Sequence, residues 1–98
     1  MPTKKAAQPT TMKVTFTLPK EVEGKTVTLC GEFNEWSPDS IPLKRGRDRA
    51  WKATVVLDRG RSYRYRYLID GERWENAWQA DAYVPNPFGG EDSIIVVD

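Results

Sequence analysis

Apolar and polar positions alternate along most of this chain with a period of two, and no stretch sustains a 3.6-residue period over three turns. The pattern predicts strands rather than helices. In MKVTFTL, Met12, Val14, Phe16 and Leu18 share one face while Lys13, Thr15 and Thr17 share the other, as a half-buried strand requires, and Pro19 ends the run. KTVTLCG repeats the pattern with Val27 and Leu29 inward. After a short, proline-interrupted piece around Ile41 and Leu43, AWKATVVL sets Trp51, Ala53, Val55 and Leu57 in phase. Asp58-Arg59-Gly60 then reads as a hairpin turn with glycine where a positive φ is needed. In SYRYRYLI, Tyr63, Tyr65, Tyr67 and Ile69 oppose Arg64, Arg66 and Leu68, so one face is aromatic and the other basic.

Asp70-Gly71 is the strongest hairpin signal in the chain, because a type I′ turn needs positive φ at both central residues, and it puts Trp74 just past a tight turn. QADAYVPNPFGG, residues 79–90, has two prolines and two glycines and reads as a long ordered loop. The chain closes on SIIVV, a β-branched run suited to a central strand buried on both faces. Six or seven short strands separated by turns predict an all-β fold, an immunoglobulin-like antiparallel β-sandwich. Ninety-eight residues make one domain, which buries about 60 to 65% of its unfolded surface. We assign residues 12–98 to it. Residues 1–11, MPTKKAAQPTT, have two lysines but no apolar run behind them; they read as a flexible tail and as neither signal peptide nor anchor.

Composition narrows the chemistry. With no histidine and one cysteine, the usual general base, the Ser-His and Cys-His pairs and nearly all zinc sites are missing. Paired carboxylates remain available for glycoside hydrolysis, but that chemistry needs a cleft, and a sandwich this small has little depth for one. The expectation is a binding protein with no catalytic residues, no cofactor and no metal. Nothing approaches the roughly 18 consecutive apolar residues of a membrane span. Cys30 has no partner for an internal disulfide, which suits a reducing compartment and predicts a cytoplasmic location.

The net charge of +1 is unevenly laid out: residues 44–73 contain ten Lys/Arg and four Asp/Glu, whereas residues 74–98 contain five acids and no base. Such a stretch is either a solvated sheet face or a polyanion-binding stripe. A stacking platform for nucleic acid needs rings and arginines on one surface. Alternation in YRYRY sends them to opposite faces, so nucleic acid is not expected as a partner. Trp51 and the three tyrosines fall in phase with the core. Trp36, Trp74, Trp78 and Phe88 instead fall in turns or at strand ends, each as a lid on its own loop or as a ring held out to a ligand.

Taken together, VTLCGEFNEWSP, a tryptophan opening a strand, YRYRYLIDGERW and a final DSIIVV resemble carbohydrate-binding module family 48. That family includes the glycogen-binding domain of the AMP-activated protein kinase β subunit and the early-set domain of isoamylase and branching enzymes. The resemblance runs from about Val14 to Val97. It implies an immunoglobulin-like sandwich that binds α-1,4-linked glucan, either polysaccharide or maltooligosaccharide, on exposed aromatic residues. Trp36 and Trp74 would each stack on a sugar ring, and Arg66 would hydrogen-bond sugar hydroxyls. Two positions depart from the family pattern. Asp92 stands where the kinase members have asparagine, so it accepts but does not donate while ionised. Phe88 replaces a smaller apolar residue that reaches toward the glucan. The D-G-E-R-W turn also has one extra residue. Early-set domains also pack against catalytic domains, so the alternative is a protein-interaction module docking on a glycogen-metabolising enzyme.

Overall fold

Among residues 10–98, which a computed structural model describes, eight strands form largely where the alternation predicts them. They are β1 (Thr11–Leu18), β2 (Val27–Gly31), β3 (Lys44–Arg45), β4 (Trp51–Asp58), β5 (Arg61–Ile69), β6 (Arg73–Glu75), β7 (Ala82–Pro85) and β8 (Glu91–Val97). All pairings are antiparallel. A three-stranded sheet has the order β1-β4-β3, and a five-stranded sheet has the order β2-β5-β8-β7 with β6 also paired to β5. The fold is the expected β-sandwich. Of the tail assigned to residues 1–11, residues 1–9 lie outside the described residues, and Thr11 already opens β1.

The core lies where the in-phase residues of the two sheets meet. Phe16 and Leu18 from β1 and Trp51 and Leu57 from β4 face Tyr65 and Tyr67 from β5. The rings of Phe16 and Tyr65 meet edge-on at 5.0 Å, and those of Tyr65 and Tyr67 at 5.8 Å. Buried rings with polar tips need partners. Tyr63 Oη donates to the Asp58 carbonyl at 2.9 Å, Tyr67 Oη to that of Thr17 at 3.3 Å, and Trp51 Nε1 to that of Val22 at 3.2 Å. Met12, though in phase with Phe16, is 47% exposed at the open end of β1.

Three expectations are corrected. Asp58–Gly60 does not close a hairpin. Gly60 does take a φ of +80°, but β4 and β5 belong to different sheets, so the turn carries the chain across the sandwich. Its amides bond outward instead, from Arg59 to the Thr10 carbonyl and from Gly60 to that of Val97. Residues 79–90 are not all loop, because Ala82–Pro85 form an edge strand on β8, and an edge tolerates proline. Finally, β8 is central but not buried on both faces, since Val96 is 49% exposed.

Two connections hold β2 and β6, both neighbours of β5, in place. The segment after the β2 loop returns to its own strand, with Leu29 N donating to the Ile41 carbonyl and Leu43 N to that of Val27, both at 2.8 Å, before the chain enters the other sheet as β3. At Asp70-Gly71 both φ angles are positive, +55° and +68°, and Glu72 N donates to the Ile69 carbonyl, as a type I′ turn requires. Asp70, Gly71 and Glu72 thus make a three-residue loop before Arg73 pairs with Ile69. Asp70 Oδ1 also accepts from the amides of Lys25 and Thr26, tying this hairpin to the entry of β2.

Candidate functional site

Alternation on β5 sends Arg64, Arg66 and Leu68 to the outer face of the five-stranded sheet, opposite the buried tyrosines. Trp74 stands directly across the ladder from Leu68, so both side chains project from that face. Asp92, near the start of β8, is on the same side. Two loops complete the surface: the one after β2 brings Trp36, and the β7–β8 loop brings Phe88. Together these residues border an open groove of about 530 Å³ whose wall includes Trp36, Arg64, Arg66, Trp74, Phe88 and Asp92.

Trp36 is aimed by a backbone that its own loop closes. A 3-10 turn at Glu32–Asn34 leaves β2, then Glu35 and Trp36 take φ of +56° and +58°, left-handed conformations costing about 1 kcal/mol or more each for non-glycine residues. Hydrogen bonds hold them there. Trp36 N donates to the Gly31 carbonyl at 2.8 Å, Gly31 N to Asn34 Oδ1 at 2.9 Å, and Asn34 Nδ2 to the Leu29 carbonyl at 3.0 Å and to Ser40 Oγ at 2.9 Å. Phe33 turns the other way and packs its ring 5.5 Å from Phe16 and 5.9 Å from Tyr63. It anchors the loop that presents Trp36. Beneath the loop, buried Cys30 points Sγ at the Ser37 carbonyl, 3.2 Å away, and desolvation raises its pKa, which favours the neutral thiol.

Trp74 is 46% exposed, and the guanidinium of Arg66 sits 5.6 Å from the centre of its ring, within cation–π range. Arg66 Nε–H is buried and finds no hydrogen-bond acceptor among the described residues. A buried donor without a partner costs about 1 to 3 kcal/mol. Asp92 is only 6% exposed, a buried carboxylate on the groove floor. Asn86 Nδ2 donates to its Oδ1 at 3.2 Å, and Arg64 approaches its Oδ2 at 3.6 Å. The same Asn86 holds the β7–β8 loop, its Oδ1 accepting from the amides of Phe88 at 2.9 Å and Gly90 at 3.1 Å. Phe88 itself is 94% exposed.

The five residues assigned to the glucan site from the sequence, Trp36, Arg66, Trp74, Phe88 and Asp92, thus border one groove. Sequence reasoning missed Arg64 and Asn86. Arg64 had the available signal, since it shares the phase of Arg66 on β5. Asn86 had none, because its role depends on the hairpin of β7 with β8. Trp78 is 54% exposed but stands outside the groove, its Nε1 donating to Glu75 Oε2 at 3.1 Å. The arrangement offers apolar ring faces beside charged groups with spare hydrogen-bonding capacity, which suits a neutral ligand with a C–H face and a hydroxyl rim.

Comparison with known proteins agrees with this chemistry. A family model described as the glycogen recognition site of AMP-activated protein kinase matches residues 12–91. The chain is also 37% identical over 51 residues to the glycerophosphocholine phosphodiesterase GPCPD1 of Rattus norvegicus, an alignment covering 46% of this chain and 8% of that protein. The chain therefore matches only a small part of that relative's length.

Proposed function

The chain belongs to the family of the glycogen recognition site of AMP-activated protein kinase and is a glucan-binding domain; from that premise we propose that the groove beside β5 is its binding surface. Trp36 and Trp74 stack on sugar rings of an α-1,4-linked glucan, Phe88 covers a further apolar face, and Arg66 and Asp92 hydrogen-bond hydroxyls. No step of catalysis is involved. The observation that supports this reading is the convergence of two tryptophans, Arg66 and Asp92 on one groove.

If each stack removes roughly 80 to 100 Å² of apolar surface from water, it contributes about 2 kcal/mol. Two stacks and a few exposed hydrogen bonds must exceed the cost of association, which gives a single-site Kd of roughly 10 μM to 1 mM. Electrophoresis through a gel containing glycogen tests the assignment. Wild-type protein is retarded, and Trp36→Ala migrates as it does without glycogen while keeping its thermal midpoint; equal retardation of the two proteins rules the groove out.

The second reading, docking on a glycogen-metabolising enzyme, draws on Trp78, an exposed ring outside the groove. It is distinguished by co-purification with such an enzyme that persists in excess maltoheptaose and is lost in Trp78→Ala.

A further inference from the structure

Arg64 lies beside Asp92 in the groove, yet the two make a loose pair. Their 3.6 Å separation is an ion-pair distance but too long for a hydrogen bond. Asp92 accepts one side-chain hydrogen bond, from Asn86, whereas an ionised carboxylate has about four acceptor positions. Arg64 has five N–H donors, and its side chain is 42% exposed and borders the groove. Its backbone is fixed independently, because Arg64 N donates to Glu32 Oε1 at 2.8 Å and Tyr65 is held in the ladders on both sides. The groove floor therefore presents a group that only donates next to a group that only accepts.

A pyranose hydroxyl both donates and accepts, so two adjacent hydroxyls can meet a donor and an acceptor that stand side by side, as Arg64 and Asp92 do at 3.6 Å. We propose that Arg64 contacts the ligand directly and that Arg64 and Asp92 together grip two adjacent hydroxyls of one glucose unit. One hydroxyl donates to Asp92, and its neighbour accepts from Arg64. The inference rests on the glucan-binding reading and adds to it the residue that selects for a vicinal pair. It also separates two roles for Arg64, since a residue that only neutralised Asp92 would matter no longer once that charge was removed.

The test is titration of tryptophan fluorescence with maltoheptaose for the wild type, Arg64→Met, Asp92→Asn and the double variant, with thermal midpoints to confirm folding. Asparagine keeps an acceptor oxygen but loses the charge, so Asp92→Asn weakens binding about threefold, while loss of the Arg64 contact weakens it about tenfold. That tenfold loss appears whether residue 92 is aspartate or asparagine. A loss confined to the aspartate background, or no loss in either, overturns the proposal. Failure of the wild type to bind at all instead overturns the glucan reading beneath it.

Discussion

Gly31 is the residue on which the site's local geometry turns, and the reason is space rather than backbone freedom. Its φ is −169°, open to any residue, but a Cβ there would lie 2.7 Å from the Arg64 carbonyl oxygen and 2.8 Å from the Phe33 ring. The backbone of a central strand cannot yield that much. Overpacking of this kind costs about 1 to 3 kcal/mol. Gly31→Ala is therefore expected to lower the thermal midpoint by about 4 to 8 °C per kcal/mol, measured by calorimetry. The Gly31 carbonyl also holds Trp36 N, so the same variant should bind maltoheptaose more weakly. At this scale most of the site was legible, because Trp36 and Trp74 sit in turns where rings are costly and Arg66 alternates with core tyrosines. Arg64 obeys the same alternation but escaped notice because the family pattern singles out only its neighbour.

At the scale of elements, the hairpin of β7 and β8 governs Phe88. Asn86 closes the loop through two backbone amides and fastens it to Asp92, whereas the Phe88 ring has almost no packing of its own. Asn86→Ala should release that brace. The expected result is faster amide exchange at Phe88 and Gly90 and a several-fold weaker affinity for maltoheptaose, with the strands unaffected; unchanged exchange would show that the Asn86 side chain does not order the loop. This element was hidden in the sequence for a physical reason. Pro85 and the following turn residues mimic loop composition, yet an edge strand needs bonds on one side only. The apolar run of β8 likewise identifies a central strand without saying that one face stays open to solvent.

For the whole molecule, the tyrosine-lined core makes stability sensitive to alkali. Burial, with smaller contributions from Asp81 and Tyr83, pushes Tyr65 from its ordinary 10 up to about 12. Burial and then Tyr65 raise Tyr67 further. Below pH 10 both phenols are protonated whether folded or unfolded, so their full contribution is present. Between pH 10 and about 12 the unfolded chain loses the Tyr65 proton while the folded chain keeps it, so stability falls as pH rises. Each buried tyrosine contributes a slope of up to about 1.4 kcal/mol per pH unit. Thermal midpoints across this window should fall together with the rise of phenolate absorbance, and Tyr65→Phe should flatten the decline. Alternation disclosed which residues would form this core but not which strands would pair, because the turn after β4 has the same composition whether it closes a hairpin or crosses between sheets. The return of residues 41–43 to β2 has a different kind of consequence. Because the loop is sealed at its root and Trp36 is fixed near its start, the stretch at Pro38 and Asp39, short of the Ser40 hydroxyl that accepts from Asn34, is free to lengthen or diverge over generations while the ring keeps its aim. Lineages can thus acquire new specificities there without first surrendering the old one.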